Sequence, residues 1–430
     1  MASISTQPPL NPMQAVFKVR NFMLLFTGQA TSMLGDQFYS IAAAWLVLKL
    51  TGDPLALGTV LAVAGIPRAI FTAIGGAVSD RYSPRRVMLV SDAIRLVLTT
   101  LMAIQVFTGT IQVWMIYIYA LVGGSVGGFF GPASMSIVPR LLETKDLQAG
   151  NSLTQGSSQL IGFVGPAVAG AMIAAFSGGT TGIGVALAFD ALTFIVSVVT
   201  LWLMVVPSEA HLQNGKLRIN EIFSSVGEGF KYMYRDPSLR LMFLIIAIAN
   251  MAFGGVVAVG VPYLANIRFV EGAAAYGFII AGYAGGNLIG IILSGVLPRL
   301  SKKIVQAFMV FMFLTFGIGV VALGWISSTW LAAFDMFVMG ILNGFISIIL
   351  ISSLQRTTQP AMMGRLMSMV MLANLSLMPL SQAIAGGILS WNVFVLFVVS
   401  GGLLVALSVY LAKPKVGILL NALLANDEVQ

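Results

Sequence analysis

The chain has 430 residues, 58% hydrophobic and only 9% charged, with a mean hydropathy of +0.95. Soluble domains carry about a quarter charged residues, so the formal charge of +8 and pI near 9.8 do not point to nucleic acid; lipid is the solvent for most of this chain. Cysteine is absent, which removes disulfides and thiolate metal sites, and no metal is expected.

Residues 1–21 are polar, with Pro8, Pro9 and Pro12 ahead of Lys18 and Arg20, and lack the apolar core and small-residue cleavage site of a signal peptide. They read as a cytoplasmic tail. Apolar runs long enough to cross a bilayer, about 20 residues each, then predict six spans at 22–49, 55–79, 86–108, 112–138, 149–176 and 182–206. The one long connection, 207–238, places Ile219, Ile222, Phe223, Val226, Phe230 and Met233 at helical spacing among Lys and Glu. That pattern predicts an amphipathic helix on the membrane surface that tethers two halves. Six more spans follow at 239–266, 273–298, 304–326, 329–354, 362–389 and 391–412, before a second tail at 413–430. The expected fold is an all-α membrane protein of twelve transmembrane helices.

Lys and Arg stay on the cytoplasmic face during insertion. Lys18, Arg20, Arg81, Arg85, Arg86, Arg140, Lys145, the linker's basic residues, Arg299, Lys302, Lys303, Arg356, Arg365, Lys413 and Lys415 all fall on one side. Only Lys49 and Arg268 fall opposite, while Arg68 and Arg95 lie inside spans. Both termini are therefore expected in the cytoplasm of a bacterial cell, with the chain in its inner membrane.

The turn at Arg81 is answered at Arg299, Arg140 at Arg356 and Gly150 at Gly364, offsets of 218, 216 and 214 residues. Such nearly equal offsets, close to half the chain, predict a duplication: halves at 22–206 and 239–412 enclosing a site between them.

The stretch Gly75-Gly76-Ala77-Val78-Ser79-Asp80-Arg81-Tyr82-Ser83-Pro84-Arg85-Arg86 resembles the signature between the second and third helices of the Major Facilitator Superfamily. Leu34-Gly35-Asp36, Ser91-Asp92-Ala93-Ile94-Arg95, Gly227-Glu228-Gly229-Phe230-Lys231-Tyr232, Leu354-Gln355-Arg356 and Gly364-Arg365-Leu366-Met367-Ser368 resemble its branch of macrolide-efflux proteins and the enterobactin exporter. The resemblance implies two pseudo-symmetric six-helix halves, no enzymatic activity, and a cytoplasmic gate at Gly76, Asp80, Arg81, Arg85 and Arg86. There the Asp80 carboxylate would latch onto the start of the eleventh helix near Met363; the alternative for the arginines is simple orientation anchoring. Gly162, Gly165, Pro166 and Gly170 resemble the glycine-proline motif of the superfamily's exporters, with Ala169 in place of a usual glycine. Proline removes a helical hydrogen bond and glycine permits close packing, so this helix can bend. The fourth span contains no arginine, unlike many proton-coupled drug antiporters, which leaves the proton route unassigned.

Ionisable residues within spans are costly and are functional candidates by default. Asp92 and Arg95 are three apart near the cytoplasmic end of the third span, where they can pair or reach the Asp80 turn. Asp36 has no basic residue within a helical turn of its own span and is the leading proton or cationic-substrate site. Arg68 would attract an anion or pair with Asp36. Asp190 and Asp335 lie about two turns inside the outer ends of their helices, within reach of water, and are secondary candidates. Gln37, Asn250 and Gln382 would supply neutral polar contacts to the cavity.

No phosphate-binding Gly-Lys-Ser/Thr loop occurs, since Leu217 follows Gly215-Lys216. The expectation is a monomeric secondary transporter without cofactor, driven by the proton gradient, that exports an amphiphilic drug or macrolide-like compound. A siderophore exporter and a lysophospholipid flippase stay open; a non-transporting scaffold is disfavoured because long loops are lacking.

Overall fold

The computed structural model describes residues 12–176, 179–206, 234, 236–297, 302–357 and 360–423. The linker's proposed surface helix and the lone His211 fall outside these residues. A short α1 (Pro12–Lys18) leads into α2 (Arg20–Thr51), α3 (Pro54–Arg81), α4 (Pro84–Phe107), α5 (Val113–Leu141), α6 (Leu147–Ala175) and α7 (Thr180–Leu203). The second half comprises α8 (Pro237–Gly255), α9 (Val261–Ile267), α10 (Ala273–Val296), α11 (Lys302–Leu323), α12 (Thr329–Thr357), α13 (Pro360–Trp391) and α14 (Val393–Leu411), followed by a short α15 (Pro414–Leu423). Ten stretches are long and apolar enough to cross a membrane, one of them Pro237–Ile267; α2 and α13, 32 residues each, complete twelve spans.

Local chemistry sets the ends. Gly52, at φ +65°, closes α2 in the left-handed region that glycine enters freely. Asp53 Oδ1 then accepts from the Leu55 amide at 2.8 Å and Pro54 opens α3. Asp236 and Pro237 start α8 in the same way. The seventh span departs from the single regular helix expected: residues Val256–Gly260 form a π turn in which the Val261 amide reaches back to the Val256 carbonyl. Pro262 lies just beyond, and a residue without an N–H cannot continue the ordinary ladder, so the wider turn absorbs the break.

In the first half α2 packs on α6 and α7, α3 on α5, and α4 on both α5 and α7; in the second, α10 packs on α12, α11 on α14, and α8 on α13. Two seams join the halves, α3 with α13 and α6 with α10. Both rely on glycine. A Cβ on Gly58 would collide with the Gln382 carbonyl, and one on Gly277 with the Pro166 carbonyl, so the backbones touch as small-residue crossings in membranes do. Gly65 against Pro379, Gly170 against Ala273 and Gly272 against Trp45 extend the contact. All these contacts lie between mid-membrane and the end remote from the chain termini.

At the termini end Arg85 reaches across the first half. Its Nε donates to the Leu201 carbonyl at 2.7 Å and its Nη2 to the Trp202 carbonyl at 2.6 Å. A cation thus satisfies the open carbonyls and negative pole at the end of α7.

Candidate functional site

The sixth span carries Asp190, Thr193, Ser197 and Thr200 at helical spacing, a polar stripe that must be buried against something small. Its counterpart is Gly28, Ser32 and Gly35 on α2. A Cβ on Gly35 would strike Thr193 Oγ1 and Asp190 Oδ1, and one on Gly28 would strike Thr200 Oγ1. This close crossing sets Asp36, the residue after Gly35, at the middle of the first half.

Arg95 comes to it from α4. Its Nη1 lies 3.7 Å from Asp36 Oδ1 and 4.0 Å from Asp92 Oδ1, and its guanidinium sits over the rings of Phe130 and Phe194, 5.7 and 5.3 Å from their centroids. Asp92 is fully buried and its Oδ2 accepts a 2.5 Å hydrogen bond from Ser197. Asp36 is the accessible member, its side chain 39% exposed against 14% for Arg95. Arg68 and Arg95 flank the same glycine, Gly127, each 3.5 Å from the position a Cβ would take. Asp36, Arg68, Asp92, Arg95 and Asp190 therefore form one cluster. A charge at the bilayer centre costs roughly 3 kcal/mol on insertion scales, and mutual neutralisation offsets that cost here.

Several sequence expectations are corrected. Arg95 stands midway along α4 and not near its cytoplasmic end, because the helix begins at Pro84 and its partners Asp36 and Asp92 lie deep. Asp36 pairs with Arg95 and not with Arg68. Asp190 is 1% exposed, sealed from water by Gly35. Gly75, not Gly76, makes the close approach of α3 to Gly128 and Phe129 of α5, whereas a side chain at Gly76 would meet nothing within 4 Å. In the helix-five motif Gly162 likewise faces open space, while Gly165 packs on Gln37, and Pro166 and Gly170 form the seam with α10. Gln382 is 8% exposed at the α3 seam, too buried to offer its amide freely to a cavity.

The remaining candidates stand apart from the cluster. Asn250 donates to Asn374 Oδ1 at 2.8 Å and to its own helix at Ile246, tying α8 to α13. Asp335 on α12 lies beside Gly319 of α11, and its Oδ2 is buried without a hydrogen-bond partner among the described residues. Arg81 is exposed, and the side chain of Asp80 lies outside the described residues, as do those around Met363. Ser197, Thr193 and the small face of α2 were missed from sequence. The repeating polar positions of the sixth span were the available signal.

The sequence profile of the Major Facilitator Superfamily matches residues 25–381. This chain is a member of that superfamily. Among curated relatives, the uncharacterized MFS-type transporter YkuC of Bacillus subtilis is 25% identical over 365 residues, covering 82% of each chain. The multidrug efflux pump Tap of Mycolicibacterium fortuitum is 23% identical over 370 residues, covering 85% of this chain and 88% of its own. The crystal structure of a single-residue mutant of the nucleoside transporter NupG superposes with a TM-score of 0.72 at 14% identity, over 92% of this chain and 99% of that one. The superfamily member described here is thus a multi-pass membrane transporter with the shared two-half architecture.

Proposed function

We propose that this transporter exports an amphiphilic small molecule, drug or macrolide-like, by alternating access in exchange for protons. We place it in the bacterial cytoplasmic membrane with both termini in the cytoplasm, a placement the basic-residue asymmetry supports. The observation that carries the reading is Asp36: a carboxylate in mid-membrane, accessible, and held by a single guanidinium that also serves Asp92. A proton or a cationic group arriving at Asp36 competes with Arg95 for it, so occupancy of the site is felt on α4. The glycine seams on the side remote from the termini suit a cytoplasm-facing stage of the cycle, and the likeness to Tap favours export.

The test is a susceptibility and efflux panel with and without the gene, repeated with a protonophore and with Asp36→Asn. Efflux should collapse with either treatment while Asp36→Asn still inserts. Uphill efflux unchanged by both would overturn the coupling. Loss of secreted iron chelators in a deletion strain would redirect the substrate to a siderophore, and lipid translocation in liposomes without a pH gradient would redirect it to lysophospholipid.

A further inference from the structure

Behind the accessible pair lies a group that the proposed exchange does not itself require. Asp190 is 1% exposed, and neither of its carboxylate oxygens has a hydrogen-bond partner among the described residues. The hydroxyls nearest it are Thr99 and Thr193. Both have committed their protons, Thr99 to the Arg95 carbonyl at 2.9 Å and Thr193 to the Asp190 carbonyl at 2.7 Å. In this arrangement each oxygen is open to accept a hydrogen bond, and either hydroxyl would have to turn from its own-helix carbonyl to give one. A carboxylate at Asp190 is therefore unsatisfied, whereas a carboxylic acid would find acceptors waiting.

Charge points the same way. The titratable groups that face Asp190 are Asp36 and Tyr39 from α2 and Arg95 from α4, and Arg95 also holds Asp92. Residues Leu147–Ala175 of α6 hold no titratable side chain, and Arg68 adds a second guanidinium beside Arg95. Three carboxylates against two guanidiniums leave the cluster one proton short of neutrality, a costly state in a membrane interior.

We infer that Asp190 is a buried proton seat, and that the proton crosses between Asp190 and Asp36 while Arg95 follows the charge. With the proton on Asp190, Arg95 pairs with Asp36, the arrangement seen here. When the Asp190 O–H breaks and an O–H forms on Asp36, Asp190 gains the negative charge and Arg95 turns to it. The cluster's total charge is unchanged, and the proton now lies where the cavity can take it. This rests on the proton-coupled reading above and adds where the proton waits when Asp36 is engaged.

Infrared spectroscopy of the purified full chain in lipid at neutral pH tests this, since a protonated carboxyl gives its own deuterium-sensitive C=O band. The work is done in an Asp335→Asn background to remove the unpartnered acid of the second half. The band should be present, vanish in Asp190→Asn, and keep its position in Asp36→Glu, which preserves the charge of the cluster. Asp190→Ser, smaller than the native residue beside Gly35, replaces asparagine should that variant fail to fold. No band in the parent, a band surviving both Asp190 substitutions, or a band displaced in Asp36→Glu would overturn the assignment. Protonophore-sensitive efflux together with any of those results would leave the export reading standing and condemn only the seat.

Discussion

Arg95 on α4 stands 3.7 Å from Asp36 on α2 while it also reaches Asp92 at 4.0 Å. One guanidinium therefore ties an accessible carboxylate to a fully buried one. Asp36 therefore bears on α4 through a single side chain, and α4 packs on α5 and α7. That coupling also decides how the pair responds to mutation.

Arg95→Gln should destabilise the chain more than Asp36→Asn. Removing the arginine strands two carboxylates, and breaking a buried pair in this way costs about 3–5 kcal/mol. Removing Asp36 leaves Arg95 with Asp92 and its aromatic neighbours, a milder loss. The double variant should be more stable than the two single losses added together, because it strands one carboxylate fewer. Thermal melts of the four detergent-solubilised proteins check this; simple additivity would mean that the 3.7 Å contact carries no energy.

The seam between α6 and α10 has no room for a side chain, since a Cβ at Gly277 would meet the Pro166 carbonyl. Gly277→Val should part the halves at the end remote from the termini and shift the population toward the state open there. The native chain has no cysteine, so spin labels at Thr110→Cys and Trp391→Cys report distance cleanly. The expected outcome is a longer mean distance in the valine variant, and an unchanged distribution would mean the seam yields elsewhere.

Much of this was legible in the sequence because hydropathy and turn chemistry are local. The apolar spans and the membrane-embedded charges are properties of short stretches. The pairing of Asp36 with Arg95 was not legible. The two lie on different helices, and which face of each apolar helix turns inward depends on packing that hydropathy does not encode. Gly75 and Gly76 are neighbours in sequence yet point in different directions, so a motif containing both could not say which one packs. The polar stripe from Asp190 to Thr200 was readable in principle, but isolated hydroxyls in a span often hydrogen-bond their own helix, as Thr193 and Thr200 do here.

Arg85 offers a stability prediction. Arg85→Ala removes two charge-assisted hydrogen bonds to the end of α7 and should cost about 1–3 kcal/mol. Arg85→Lys, with one ammonium in place of a planar fork, should recover part of the loss. Melting temperatures should rank wild type above Lys above Ala; equal values for all three would show that water caps the helix as well.

Ser381 on α13 sits where the seventh span changes its winding. Its Oγ accepts from the Gly255 amide at 2.7 Å and donates to the Met251 carbonyl at 2.8 Å, inserting a side chain into the ladder at the last residue before the π turn. Few other partners exist there, because a Cβ on Gly255 would already collide with Ala385 and the Ser381 carbonyl. Ser381→Ala removes both side-chain hydrogen bonds from this turn of the helix, a loss of roughly 1–3 kcal/mol. Ser381→Thr keeps the hydroxyl but adds a methyl to a crowded crossing, so it should fall between the two. Hydrogen exchange at the Gly255 amide is the direct measurement: strong protection in the native chain and rapid exchange in Ser381→Ala. Protection that survives the alanine substitution would mean the π turn closes its own ladder and does not depend on α13.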